Sequence, residues 1–207
     1  DQKKFGNVKI VDIKVGQYLP YWRTNKRYQD GVSAKKNLGG GALLELSHEI
    51  DYATWIFGYP KNIFGIAKKI SDLKINVEDV ASIIFEYPKK IIQISLDFLQ
   101  RTPKMEIKIV CDKATIYADL IKQKLNYFNE KCPGGKKIKK TKFKNGNEIY
   151  LKQMDFLLKR SFKNYYPKFK QNYFFDNFSS IESSYKLLKL IDKIRQSNKL
   201  NRKIKFL

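Results

Sequence analysis

The sequence predicts an α+β protein built on one large, mostly antiparallel, open β-sheet with helices packed on one face. Three observations predict it: a strand-like start, one helix-like stretch that stops at Gly58 and Pro60, and a block of short apolar runs over residues 62–143, followed by two helical patterns. Consecutive strands with short turns favour an antiparallel meander. No internal repeat or low-complexity linker divides the chain, so a single domain over residues 1–207 is predicted.

The first strand is predicted over Asn7–Tyr18, with a bulge near Val11–Asp12 where the apolar alternation slips. A long loop rich in aromatic and basic residues follows, and such loops inside compact domains are usually functional. One helix is then predicted from Ala42 to Phe57. Helical spacing puts four of its apolar residues on one stripe and four polar ones on a second face: Leu46, Ile50, Ala53 and Phe57, and Glu45, His48, Glu49 and Tyr52.

Six further runs are predicted to be strands, namely NIFGIAKKI, DVASIIFEY, IIQISLDFL, KMEIKIV, ATIYADL and QKLNYF. The Lys-dense stretch from Gly134 to Lys144 is predicted to be an exposed hairpin arm whose charge protects a sheet edge. Helices are predicted over Glu148–Asn164 and Ser180–Ser197. The closing NRKIKFL is predicted to be a last short strand.

The formal net charge of +22 creates a field that attracts polyanions, so nucleic-acid binding has to be considered. The excess is nearly all Lys and is spread along the whole chain, whereas nucleic-acid readers prefer the forked contacts of Arg. Together with the many Ile, Asn, Tyr and Phe residues, it is typical of an AT-rich genome. Nucleic acid is therefore not the expected partner, and a non-catalytic basic binding module, for nucleic acid or as a protein scaffold, stays the alternative.

Several other classes are disfavoured by composition. No apolar run approaches the roughly 20 residues of a membrane span. Cys111 and Cys132 have neither metal-ligand nor redox spacing, which favours reduced thiols and a cytoplasmic protein. With one histidine and no suitable cysteine beside it, no metal site is expected. Neither GxGxxG nor GxxxxGK[ST] occurs, so this chain alone is not expected to bind a dinucleotide.

His48 is the single histidine of the chain, and it follows three glycines and Glu45 on the predicted helix. Residues three apart share a helix face, so Glu45 is predicted to orient the imidazole or raise its basicity. A ring that titrates near neutral pH is suited to take a proton from an alcohol. The glycines are predicted to let a ligand approach the start of the helix. The alternative is a partly buried structural histidine.

The stretches GQYLPYWR, YQDGVSAKKNLGGGALLELSHEIDYATWIFG and VEDVASIIFEY resemble the C-terminal domain of the Gfo/Idh/MocA oxidoreductases, the family of glucose–fructose oxidoreductase and inositol dehydrogenase. The resemblance implies an N-terminal Rossmann domain that binds NAD or NADP and lies outside this chain, which starts without Met. It implies hydride transfer between nicotinamide and a sugar, nucleotide-sugar or cyclitol carbon. The chain by itself is then expected to be inactive and without bound cofactor.

The resemblance also implies roles for individual residues. His48 matches the family's histidine, and Asp51 matches the acidic residue that often follows it. The family's aspartate four positions before the histidine is Leu44 here, so Glu45 is expected to replace it. The residues YLPYWR and ELSHEID indicate a subgroup of the family whose substrates are amino sugars or nucleotide sugars for surface glycans.

Substrate binding is predicted for the strand and loop before the helix and for Asp51. Aromatic rings there can stack on a sugar, and cations can pair with a phosphate or carboxylate. The predicted substrate residues are Tyr18, Trp22, Arg23, Tyr28, Lys35 and Asp51. Members of the family resembled here commonly bury the open sheet face against a second subunit, which predicts a homodimer or tetramer.

Overall fold

The structure is a computed structural model that describes residues 2–23, 25–138, 146–161 and 180–206. The chain gathers into two compact units, one of residues 1–138 with 181–207 and one of residues 139–180. The single domain over 1–207 stays a prediction. In the smaller unit the described element is helix α4, Gly146–Ser161. It starts two residues before the predicted Glu148, and the predicted end, Asn164, lies outside the described residues.

The larger unit contains a nine-stranded sheet in the order β8-β7-β6-β5-β1-β4-β3-β2-β9. Every neighbouring pair is antiparallel except β1 with β4. The predicted mostly antiparallel sheet is confirmed. The strands are β1 Val8–Gly16, β2 Asn62–Lys68, β3 Val80–Glu86, β4 Ile91–Asp97, β5 Lys104–Cys111, β6 Thr115–Asp119, β7 Lys124–Asn129, β8 Cys132–Lys137 and β9 Ile204–Lys205.

The helices of this unit are α1 Gln2–Phe5, α2 Ala42–Glu45, α3 Ser47–Phe57 and α5 Ile181–Leu200. The core lies between one face of the sheet and three of these helices, α2, α3 and α5. Alternation along the strands puts every second residue on this face, as in β4, where Ile92, Ile94 and Leu96 are buried. The same cluster contains Ile50 of α3 and Ile194 of α5. Helices therefore cover one face, as predicted.

The bulge in β1 lies at a different place from the predicted one. Val11, Ile13 and Val15 are all buried, so the alternation is continuous through Val11–Asp12. The register shift lies between Val8 and Ile10, where β1 pairs with β5. The prediction took exposed Ile10 as part of the core face, whereas it belongs to the opposite face.

The edge strand β8, Cys132–Lys137, takes up residues 134–137 of the predicted hairpin arm, and residues 139–144 of that arm lie outside the described residues. Cys111 and Cys132 are free thiols. Strands β6 and β7 lie between their strands in the sheet, which separates the two Cα atoms by about 14 Å. That distance is twice what a disulfide spans. No helix of the described residues has the length and apolar character to cross a bilayer.

The predicted helix over Ala42–Phe57 is two helices. Leu46 leaves the helical conformation, with φ −108° and ψ 24°, and separates α2 from α3. Leu46 itself is buried in the core cluster. Because the break rotates α3 relative to α2, spacing counted along one continuous helix no longer tells which side chains share a face.

Candidate active site

The loop between β1 and α2 is folded into four short 3₁₀ turns, Leu19–Tyr21, Tyr28–Asp30, Val32–Ala34 and Lys36–Leu38. Side chains of the loop anchor it to the core. The Trp22 indole lies edge-on against Phe98, with ring centroids 5.2 Å apart, and donates a hydrogen bond to the Gln17 carbonyl. The Tyr28 hydroxyl accepts a hydrogen bond from the backbone of Lys74 at 3.1 Å. The loop is thus held in a defined conformation by these contacts.

The glycines before α2 make room for the protein's own chain. A Cβ at Gly40 would collide with the backbone carbonyls of Val32 and Ser33, and a Cβ at Gly41 would collide with the Glu78 carboxylate. Glu78 accepts a hydrogen bond from the Leu43 amide at 3.2 Å, and its carbonyl accepts one from Ala42. The expectation that these glycines admit a ligand is wrong for Gly40 and Gly41, because the start of α2 is already capped.

Glu45 points back to the loop. Its Oε2 accepts a hydrogen bond of 2.8 Å from the Ser33 hydroxyl. Neither an ion pair nor a hydrogen bond joins Glu45 to His48 among the described residues. The predicted pairing of these two residues is therefore wrong, and the break at Leu46 is the physical reason.

His48 has another carboxylate partner. Its Nε2 lies 2.7 Å from Oε2 of Glu49, and the contact is bent, so it is a charge contact more than a linear hydrogen bond. The imidazole is 53% exposed, whereas the Glu49 side chain is fully buried. The bond to Glu49 raises the pKa of His48, burial opposes this, and the charges of Glu49 and Asp51 add to the rise. This ring can hold or release a proton at the surface.

Tyr52 lies one helical turn beyond His48. Its hydroxyl is buried without a hydrogen-bond partner among the described residues. Burial raises the pKa of Tyr52 well above its usual value, and the nearby charge of Glu49 adds to this. The hydroxyl is therefore neutral at physiological pH. Glu49 and Tyr52 are thus two polar side chains of α3 whose buried oxygens lack a hydrogen-bond partner among the described residues.

The predicted substrate residues do not all meet. Trp22, Arg23 and Tyr28 line one cleft of about 230 Å³ in the loop, together with Ser33, which connects the cleft to Glu45. Neither His48 nor Lys35 is among the described residues lining this cleft. The sequence analysis did not select two cations of this cleft, Lys26 and Arg27, although they follow the selected Arg23 by three and four residues.

Tyr18 and Asp51 lie elsewhere. The Tyr18 ring packs edge-on against Tyr21, with centroids 4.8 Å apart, and the Arg101 guanidinium lies 4.1 Å above it. Both contacts are packing within the protein. Asp51 is half-buried on α3, where its carbonyl accepts a hydrogen bond from Thr54, and its charge acts on His48.

The glycine-led start of α2 does not fit the pyrophosphate of a dinucleotide. The pyrophosphate of a nicotinamide cofactor needs free amides at a helix start and no negative charge there. The glycines of this chain lead into a four-residue helix whose first amides are bonded to Glu78. Within the described residues, no three His, Cys, Asp or Glu side chains are placed to hold a metal ion.

Comparison with known proteins places this geometry among relatives. The model of the GFO/IDH/MocA C-terminal domain matches residues 1–117, which is more than half of the chain. No curated protein sequence matches it.

Solved structures share the fold at low identity. Aldose-aldose oxidoreductase from Caulobacter crescentus, complexed with glycerol, has a TM-score of 0.76 at 14% identity over 99% of this chain and 57% of its own. An inositol dehydrogenase homologue from Azotobacter vinelandii, complexed with NAD+, has a TM-score of 0.75 at 9% identity, over 99% of this chain and 59% of its own. The WlbA dehydrogenase from Bordetella pertussis, in complex with NADH and UDP-GlcNAcA, has a TM-score of 0.67 at 15% identity, over 100% of this chain and 57% of its own. The chain spans somewhat more than half the length of these proteins.

Proposed function

Because the chain belongs to the GFO/IDH/MocA C-terminal domain family, we propose that it is the substrate-binding and catalytic half of a nicotinamide-dependent oxidoreductase acting on a sugar, nucleotide-sugar or cyclitol hydroxyl. The observation that carries this proposal is the His48–Glu49 contact. A half-exposed imidazole backed at 2.7 Å by a fully buried carboxylate is suited to acid–base work.

His48 supplies the proton chemistry. Oxidation of an alcohol carbon removes a hydride from carbon and a proton from oxygen, and the neutral imidazole accepts that proton. In the reverse direction the imidazolium returns it to the carbonyl oxygen. Since Glu49 raises the pKa of His48, the protonated form is populated nearer neutrality than for a free histidine.

The hydride acceptor, NAD or NADP, would be held by a Rossmann domain outside this chain. The capped start of α2 supports this division, since Glu78 already accepts the Ala42 and Leu43 amides that a pyrophosphate would need there. We therefore also propose that this chain alone has no dehydrogenase activity.

The loop cleft supports recognition of a polyhydroxylated, negatively charged substrate. Trp22 and Tyr28 provide aromatic walls. The lining cations are Arg23, Lys26 and Arg27, and they outnumber the one lining carboxylate, Asp30, which lies 3.6 Å from Arg27. One relative was solved with UDP-GlcNAcA, a nucleotide sugar of this chemistry. Amino sugars or nucleotide sugars for surface glycans are therefore the proposed substrates. The proposed compartment is the cytoplasm.

Assembly is proposed through the open sheet face. Ile10 and Ile91 are register partners across β1 and β4 on this face, and both are more than 40% exposed. Ile84 of β3 extends the patch, and Ile66 of β2 lies beside it. A second copy would bury these side chains in a homodimer or tetramer.

The test uses the full-length protein with NAD or NADP, a panel of nucleotide sugars and cyclitols, and absorbance of the reduced nicotinamide. His48→Ala is expected to lower kcat by about 10²–10⁴-fold, the usual contribution of a general acid–base, with cofactor affinity unchanged. Lys61→Ala, an exposed residue at the start of β2, is the matched control and keeps wild-type turnover. Wild-type kcat in His48→Ala would refute the role of His48.

A further inference from the structure

We propose that Glu49 is the positioning residue of the site: it holds His48 with the hydrogen on Nε2 and leaves Nδ1 as the nitrogen that exchanges protons with the substrate. This rests on the proposed function for what Nδ1 does, but the relation between Glu49 and His48 stands on geometry. The sequence pointed to Glu45 for this task.

The first step concerns the burial of Glu49. Its side chain has no exposed surface, and α3 places it next to buried Ile50 and one turn from buried Ala53. Neither carboxylate oxygen has a well-formed hydrogen bond within the described residues. A buried carboxylate without partners is costly, so a protein that keeps one usually uses its charge. Among the described residues, its ion-pair partner is His48.

The second step concerns the tautomer. An ionised carboxylate only accepts hydrogen bonds. An unprotonated Nε2 held 2.7 Å from a carboxylate oxygen would bring two electron-rich atoms closer than van der Waals contact, even in a bent arrangement, so we place the hydrogen on Nε2. A neutral imidazole has one N–H and one lone pair, and the lone pair is then on Nδ1. The His48 side chain is 53% exposed although its Nε2 lies against a fully buried carboxylate, and we therefore assign the proton exchange with substrate to Nδ1.

The third step concerns the other acids. Glu45 is held by the Ser33 hydroxyl at 2.8 Å. Asp51 acts on His48 through its charge, from the same helix, without a contact within 4 Å. The ionisable groups acting on His48 are thus Glu49 and Asp51, with Glu49 the one in contact. Removing the Glu49 charge is expected to make the imidazolium less stable.

The test needs no enzymatic turnover, because His48 is the only histidine of this 207-residue chain. With ¹⁵N-histidine labelling, one pair of ring nitrogens is observed, and their shifts report both the tautomer and the pKa. In the wild-type chain above the pKa, the hydrogen is expected on Nε2. A wild-type ring with its hydrogen on Nδ1 would overturn the proposal.

Three variants separate charge from geometry. Glu49→Gln removes the charge and can either accept or donate a hydrogen bond, so it is expected to lower the His48 pKa and is read for that alone. Glu49→Met fills a similar volume without an acceptor, so the tautomers are expected to mix. Glu45→Gln is the matched control, with both readouts as in the wild type. An unchanged pKa in Glu49→Gln, or a Glu45→Gln shift equal to it, would overturn the proposal.

Activity of the full-length protein is a separate readout. There Glu49→Gln is expected to lower kcat/KM by about 10–100-fold, as is usual for the partner of an active-site histidine, and to move the acid limb of its pH profile to lower pH. Glu49→Asp is expected to restore part of the loss. If His48→Ala keeps full turnover while Glu49→Gln still lowers the His48 pKa, the proposed function fails and the positioning of His48 by Glu49 stands.

Discussion

The Ser33 hydroxyl donates a hydrogen bond of 2.8 Å to the carboxylate of Glu45, which joins the cleft loop to the last residue of α2. This contact crosses 12 residues of chain and ends at the helix break. It ties the surface proposed to bind substrate to the segment that leads into His48. The same residue, Glu45, was expected from its spacing to serve His48 directly.

Loss of the Ser33–Glu45 bond is expected to loosen the loop. Ser33→Ala leaves a half-buried carboxylate without its donor and should lower the free energy of unfolding by about 1–3 kcal/mol. Urea unfolding measures it, and a double-mutant cycle with Glu45→Ala isolates the pair. A coupling energy near zero would mean that the bond contributes nothing to stability.

Gly41→Ala is expected to destabilise the protein much more than Gly39→Ala. Gly39 is in the left-handed region (φ +81°, ψ 24°), where alanine carries strain of roughly 1–2 kcal/mol, whereas Gly41 has φ +110° and ψ 154°, a conformation that essentially only glycine adopts. Gly39 has open space around it, whereas a Cβ at Gly41 meets the Glu78 carboxylate that caps α2. Thermal unfolding of the two variants compares them directly. Equal melting temperatures would show that the Glu78 contact is not tight.

Gly65 in β2 lies directly beneath α5. A Cβ there would come within 2.6 Å of the Ile194 Cγ2 methyl, and the neighbouring Ser197 hydroxyl accepts the Gly65 amide hydrogen. Gly65→Ala is expected to cost about 1–3 kcal/mol through overpacking. Ile194→Leu removes the Cγ2 methyl at constant volume, so the double variant should recover part of the loss in urea unfolding. No recovery would place the strain elsewhere.

The His48–Glu49 pair makes stability depend on pH. The folded-state pKa of His48 lies above its unfolded value of about 6.5, so its contribution is fully present below that value and is lost as pH rises through the folded pKa. The unfolding free energy of the wild type minus that of His48→Gln should therefore be constant at lower pH and shrink above it. Urea unfolding from about pH 5 to 9 gives this difference. A gap that grows with pH would contradict the sign.

The cleft cations are expected to act on substrate binding. In the full-length protein, Arg27→Ala should raise KM for an anionic substrate by about tenfold, equivalent to one charge-assisted bond, and change kcat little. Lys36→Ala, a cation outside this cleft, is the matched control with KM near wild type. A neutral cyclitol should show no such difference between the variants. An equal rise in KM for both substrates would argue against charge recognition.

Much of the fold was predictable because it depends on local rules. Alternation of apolar residues marked the strands β2 to β7, and turn residues separated them. In β1 the alternation was misplaced by one residue, since Ile10 is as apolar as the buried Ile13 but faces outward. Apolar character alone does not tell the two faces of a central strand apart.

The candidate site was predictable in part. His48 stood out because the chain contains one histidine, and Trp22, Arg23 and Tyr28 were selected from residue type in a long loop. Glu49 was placed on the polar face of the helix but without a role, because residues adjacent in a helix point in different directions. The bent contact between His48 and Glu49, and the burial of Glu49, are features that helical spacing does not report.

By itself, then, the sequence determined the class of fold, the strand block, the glycine-led segment before α2 and the histidine, because propensity and periodicity are written along the chain. The tertiary structure alone decided which carboxylate serves His48, what fills the space beside Gly41, and which loop residues share a cleft. Those outcomes depend on Ser33 and Glu78 meeting α2 from positions 12 or more residues away. Spacing along one helix carries no information about such contacts.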